Sequence, residues 1–299
     1  MSALSGGDEA REGRDMVTEQ SSAETAPENR RQYRRAHLSL QILRKGRILS
    51  MKSQYHHIIR ENPDADTAVI LLHGILCAPQ YFDFLMPEIP DTFSVYGILL
   101  DGHGADTDGL AHTSMQRWKQ QTEELMRRIL PQYQNIIIAA HSMGTLFALE
   151  LAAKYPEHIR KMLLLGVPLR VHLTLSGAAR SVAAAFGFRA KRPLGNALQN
   201  AYSIQPDRNL LHYIGWIPRY LELFREIRAV RKRCRDIRVP CEVYQSAKDE
   251  LVSLRALPLL ADMPAVKLHV LRHSTHFYYP PQDMERVLSA FGRVKNTAK

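Results

Sequence analysis

Apolar positions in this chain fall into short continuous runs separated by stretches of helical spacing. Ala68-Val69-Ile70-Leu71-Leu72, Ile136-Ile137-Ile138-Ala139-Ala140 and Met162-Leu163-Leu164-Leu165 are uniformly apolar. A strand with one wet face alternates, whereas a strand covered on both faces need not, so these runs predict interior strands of a parallel sheet. Phe93 to Leu100 predicts a further strand that ends at Asp101-Gly102-His103-Gly104, and Pro240 to Gln245 and Val266 to Leu271 read as the last two. Met115 to Leu130 carries Trp118, Thr122, Leu125 and Ile129 at helical spacing and stops before Pro131. Met143 to Tyr155, closed by Pro156, and Met284 to Phe291 read as further helices. Ahead of the first run, residues 38–60 alternate loosely around Lys45-Gly46, which predicts a leading antiparallel hairpin. Strands alternating with helices predict an α/β fold, a mostly parallel central sheet with helices on both faces.

In such sheets the chemistry gathers in loops at the carboxyl ends of the strands. The Ile-rich run is followed by His141-Ser142-Met143-Gly144 and then by a helical pattern, so Ser142 sits at the tip of a strand-turn-helix. That geometry holds a nucleophilic serine in a sharp, exposed turn, with small residues at 140 and 144 where strand and helix approach closely. Ala140 stands where glycine is usual, and a serine before a helix is also a common N-cap, so the pentapeptide alone is weakly specific. Its partners make it strong. Asp249 follows the strand Val243-Tyr244-Gln245, and His276 follows the strand Leu268 to Leu271. A serine hydroxyl needs a base to become a good nucleophile. His276 can take that proton, and Asp249 can fix the imidazole tautomer and stabilise the imidazolium. Glu250 and Asp262 are rival acids, with the post-strand position favouring Asp249, and His273 rivals His276 as the base. A developing oxyanion needs backbone donors, for which Met143, next after the nucleophile, and Ile75, in the loop after the first central strand, are the candidates. Gly74 lets that loop turn its amide inward. Gly74 and Leu76, with cap residues not identified from sequence, are the expected substrate-binding positions. His73 and His141 read as structural hydrogen-bonders, His103 as a loop residue and Cys77 as a packed core cysteine.

Taken together, Leu71-Leu72-His73-Gly74, Asp101-Gly102-His103-Gly104, Ala140-His141-Ser142-Met143-Gly144, Asp249 and His276 resemble the α/β-hydrolase superfamily, and within it the bacterial carboxylesterase and monoacylglycerol-lipase group. The resemblance runs from about Ala68 to the C-terminal helix, and it favours His276 over His273. The Ala-His-Ser-Met-Gly form, with Ile after His-Gly, is also similar to small Bacillus-type lipases, which implies an oxyanion hole made by the amides of Ile75 and Met143. In this fold an insertion after the sixth strand commonly forms a cap, and about seventy residues separate Leu165 from Pro240 here. The implied layout is a polar N-terminal tail over residues 1–37, a hydrolase core over 38–168 and 238–299, and a helical cap insertion over 169–237, with helical patches at Ser176–Phe186 and Tyr220–Arg233.

The chain has 299 residues, 45% apolar, with a net charge of +10. Arg170 to Arg238 holds fourteen basic and four acidic residues, so this segment accounts for the whole imbalance. A solvated basic helix face is the plain reading. Weak association with an anionic membrane surface is a second, since Ile214-Gly215-Trp216-Ile217-Pro218-Arg219-Tyr220-Leu221 could supply interfacial aromatics. No nucleic acid is expected, because no recognition motif or aromatic platform accompanies the charge. The N-terminus lacks the apolar core of a secretory signal, and Cys77, Cys234 and Cys241 suit reduced thiols, so a cytoplasmic location is expected. These features predict a serine esterase or lipase acting on a carboxylic ester such as a medium-chain monoacylglycerol, with no cofactor and no metal. The alternatives are a thioesterase or amidase on the same residues, a haloperoxidase-like or C–C hydrolase, and a non-catalytic binding protein on the same fold.

Overall fold

The computed structural model describes residues 55–172, 203–204, 207 and 209–295. Among them, seven strands form one sheet: β1 (Ile58–Arg60), β2 (Thr67–Leu72), β3 (Ser94–Gly97), β4 (Asn135–His141), β5 (Ile159–Leu165), β6 (Cys241–Ser246) and β7 (Val266–Leu271), in the order β1-β3-β2-β4-β5-β6-β7. Only β1 runs antiparallel to its neighbour. The uniformly apolar runs are its interior strands, and β2 and β4 are buried at every position. Their side chains divide by parity. Ala68, Ile70 and Leu72 join Ile136, Ile138 and Ala140 in one apolar layer, while Val69, Leu71, Ile137 and Ala139 join the other.

The helices α1 (Thr107–Ala111), α2 (Met115–Ile129), α3 (Met143–Lys154), α4 (Ile217–Arg233) and α5 (Leu257–Ala261) supply the first layer, through Leu110, Trp118, Leu146, Ile227 and Leu260. The second layer is closed by a 3-10 segment, Pro79–Glu88, through Phe82 and Leu85, and by α6 (Pro281–Lys295) through Val287 and Phe291. Full burial of such a side chain contributes about 1.5–3 kcal/mol, which is why both faces stay covered. No helix among the described residues is long and apolar enough to cross a membrane.

Three expectations change. Of the leading hairpin, residues 38–54 lie outside the described residues, and β1 pairs with β3 (Ile58 opposite Gly97). The strand expected over Phe93–Leu100 covers only Ser94–Gly97, because side chains take the amides that would extend it: Leu99 N–H donates to His57 Nδ1 (3.0 Å) and Leu100 N–H to His73 Nε2 (3.1 Å). The last helix starts at Pro281 rather than Met284, since proline suits the first turn of a helix.

Of the insertion, Ser176–Phe186 lies outside the described residues. The helix expected at Tyr220–Arg233 is α4, which begins at Ile217. It buries Leu223, Ile227 and Val230. Glu226 meets Lys119 of α2 at 3.1 Å, and Glu222 accepts the Met115 N–H at 2.9 Å.

Strand order reverses between β2 and β4, with β3 on one side and β5 on the other. A crevice opens outside the carboxyl ends of strands at such a switch point. Leu72 is opposite Ala140 in the register, so the loop His73-Gly74 emerges beside His141-Ser142.

Candidate active site

Ser142 has φ 51° and ψ −123°, a left-handed φ that side chains rarely adopt. Its surroundings hold it there. The Ser142 N–H donates to Leu165 O of β5 (2.9 Å), and its carbonyl accepts from Thr145 N–H (2.9 Å) and Thr145 Oγ1 (2.6 Å). Helix α3 begins close over the end of β2, where a Cβ at Gly144 would lie 2.1 Å from Leu72 O. Ser142 occupies the N-cap position of α3, but its side chain caps nothing. The Oγ instead lies 3.0 Å from His276 Nε2.

His276 Nδ1 lies 2.8 Å from Asp249 Oδ2. The other carboxylate oxygen of Asp249 accepts from Leu251 N–H (2.8 Å) and Val252 N–H (2.7 Å), which fixes the acid's orientation. An ionised acceptor at Nδ1 places the imidazole proton there and leaves Nε2 as an acceptor facing the serine. All three residues are buried. Burial alone would lower the His276 pKa, but the charge and hydrogen bond of Asp249, helped by Glu250, outweigh it and raise the pKa above the ordinary imidazole value. The sheet brings these residues together because Asp249 and His276 sit in the loops after β6 and β7, on the same edge as the turn after β4.

Two of the rivals lie elsewhere. His273 is exposed, with its N–H on Asp283 Oδ2 (2.8 Å), and Asp262 pairs with Arg235 at the surface (2.6 Å). Glu250 is buried and accepts the backbone N–H of His276 at 3.3 Å. The other histidines hold backbone. His141 Nε2 meets His276 O (3.0 Å), its ring stacked on Tyr81 at 4.1 Å. His73 accepts from Leu100 N–H at Nε2, so its Nδ1 donates to Gly74 O (2.8 Å). Burial lowers the pKa of both, and each is pushed down further by a neighbouring histidine, His276 for His141 and His103 for His73. His103 is lowered to about 4, chiefly by burial. Burial pushes the Cys77 thiol up to about 12.

Met143 is the first residue of α3, and the first amides of a helix have no acceptor within it. Ile75 lies in the turn closed by Cys77 N–H on Gly74 O (3.2 Å). The left-handed residue of this turn is Leu76, at φ 64°, and not Gly74. Space is what position 74 requires, since a Cβ there would lie 2.9 Å from Ser142 Cβ. Leu76 is half-buried against the first apolar layer. Ser203, a residue of the insertion that sequence reasoning passed over, ties this turn down. Its N–H donates to Leu76 O (2.7 Å), its Oγ lies 2.6 Å from Cys77 O, and that Oγ accepts from Gly104 N–H (3.3 Å). A serine in a polar stretch, 127 residues from Leu76, carries no local signal of this contact. Among the described residues, no group of three His, Cys, Asp or Glu side chains is placed to hold a metal ion.

Residues 67–213 match the family model described as the alpha/beta hydrolase fold. Among solved structures, the chain is similar to one reported for LipS and LipT, two metagenome-derived lipolytic enzymes, with TM-score 0.64 and 18% identity over 83% of this chain and 100% of that one. It is also similar to a monoacylglycerol lipase of Paleococcus ferrophilus (TM-score 0.57, 15% identity, 82% and 98% covered). A deformylase of Pseudomonas putida S16 shares the fold as well (TM-score 0.52, 14% identity, 78% and 94% covered). Comparison with curated proteins gives no match.

Proposed function

Because the chain belongs to the α/β-hydrolase superfamily, we propose that it is a serine hydrolase of carboxylic esters, of the carboxylesterase or monoacylglycerol-lipase type. One observation carries this reading: the buried relay from Asp249 Oδ2 through His276 to Ser142 Oγ, with links of 2.8 and 3.0 Å. Ser142 attacks the ester carbonyl as its proton passes to His276 Nε2. The amides of Ile75 and Met143 receive the oxyanion, a contact worth about 3–4 kcal/mol of transition-state stabilisation per donor. The imidazolium, held by Asp249, returns the proton to the departing alcohol. Water then repeats the sequence on the acyl-enzyme and frees the acid and Ser142. Gly74 and Leu76 border the acyl group, and residues 169–237 cap it. No cofactor enters these steps, and a cytoplasmic setting suits the three buried thiols.

Hydrolysis of p-nitrophenyl esters from acetyl to palmitoyl, by the wild type and Ser142→Ala in parallel, tests the proposal. The expected result is activity that peaks at medium chains and disappears in the variant. Activity undiminished in Ser142→Ala overturns the assignment. Thioesters and amides are within reach of the same residues, and the deformylase among the fold neighbours is the reason to include an amide in the series.

A further inference from the structure

The basic segment neutralises little of its own charge. Of its four acids, Glu222 offsets one of its arginines, Arg219, Asp207 meets His212, and Glu226 is drawn away to Lys119 of α2. Residues 173–202 contain no Asp or Glu at all. Four arginines, Arg170, Arg228, Arg231 and Arg255, line a single cavity of about 550 Å³, and none of them is within ion-pair distance of a described carboxylate. They converge from three elements. Arg228 and Arg231 are three apart on α4 and share a face, Arg170 follows β5, and Arg255 follows the Asp249 loop. Val171, Phe224 and Ile227 give the same cavity an apolar wall, and Val171 and Phe224 are 40% and 45% exposed. Four guanidiniums facing one hollow give it a positive potential that draws an anion.

We propose that this cavity binds a small organic phosphate, with its head held by the guanidiniums and its apolar body against Val171, Phe224 and Ile227. Guanidinium forks match phosphate oxygens bidentately, and four cations exceed what one carboxylate can satisfy. The volume lies in the range of small-molecule sites. Ser142, Asp249 and His276 do not line it. It nevertheless shares a wall with the acid's loop: Ser253 N–H donates to Arg170 O (2.9 Å), His172 N–H to Leu251 O (2.9 Å), and Val171 bridges Val252. The ligand thus sits directly behind the segment whose amides orient Asp249.

Calorimetric titration of the full chain, with chloride holding ionic strength constant, tests the proposal. The probes are inorganic phosphate, octyl phosphate below its micellar concentration, and phosphatidylcholine vesicles containing phosphatidic acid. Octyl phosphate is expected to bind more tightly than inorganic phosphate. Arg228→Gln and Arg255→Gln, both exposed positions, are each expected to weaken it by roughly tenfold or more, as loss of a charge-assisted hydrogen bond does. Circular dichroism of each variant checks the fold. Octyl phosphate binding that is absent, or equal in wild type and variants, overturns the proposal, and binding to vesicles alone replaces the cavity with a membrane-facing surface. No ester is present in these titrations, so their outcome is read separately from that of the hydrolytic assay.

Discussion

The loops around Ser142 and the outer face of α4 handle charge in opposite ways. Around Ser142, ionisable groups are buried and each is set by a named partner: Asp249 by two amides, His276 by Asp249, His141 by the carbonyl of His276. On α4 the cations are exposed and outnumber their partners, with Arg225, Arg228, Lys232 and Arg233 along one hollow. Burial makes each charge costly unless a partner offsets it, so the first region admits one arrangement. Solvent screens the second, so its sequence stays unconstrained by the fold and its chemistry remains open to a ligand.

The sharpest way to break this contrast is to neutralise the buried acid. Asp249→Asn is expected to lower kcat by about 10⁴-fold through the wrong imidazole tautomer, while Asp262→Asn leaves it unchanged. Sensitivity at Asp262 would reassign the acid. Next comes Gly74→Val, whose side chain meets Ser142 Cβ and displaces the neighbouring amide of Ile75. A fall in kcat on the order of 10²–10³ is expected, read from steady-state kinetics on a p-nitrophenyl ester. Ser203→Ala keeps the backbone bond to Leu76 O but removes the Oγ contacts to Cys77 O and the Gly104 N–H, and is expected to cost about tenfold in kcat with little change in KM, against about 1 kcal/mol in stability. Equal loss in kcat at Ser253→Ala would mark the effect as general rather than local to the oxyanion turn.

The pH profile gives the smallest effect. His276 acts as a base only when neutral, and its pKa is raised because Asp249 outweighs burial. kcat/KM should therefore rise with pH through an apparent pKa above the ordinary imidazole value and be lost as pH falls below it. In Asp249→Asn, where burial remains and the attracting charge is gone, that limb should move to lower pH. A limb that stays in place would mean another group titrates.

What could be read from the residues follows the same division. The runs at 68–72, 136–140 and 162–165 announced buried strands because both faces had to be apolar, and β7 falls at Val266–Leu271 as expected. The turn at Ser142 was legible because it follows such a run, and Asp249 and His276 stood out because each comes after a strand pattern, at Cys241–Ser246 and Val266–Leu271. Contacts made across the chain by ordinary polar residues were not. Ser203 on the Leu76 turn and Glu250 on the His276 amide depend on where the chain returns, which no local pattern encodes. Leu76 shows the limit most plainly. Residue frequencies would place the left-handed φ of that turn at Gly74, but proximity to Ser142 claims the glycine for space and leaves the strained conformation to a leucine.

The central claim is that Ser142 is a nucleophile activated by His276. Incubation of the folded protein with a fluorophosphonate, followed by peptide mass spectrometry, tests it most directly. The account predicts a single adduct on Ser142, formed quickly in the wild type and very slowly in His276→Ala. A folded wild type that stays unlabelled, or an adduct on another residue, would contradict it.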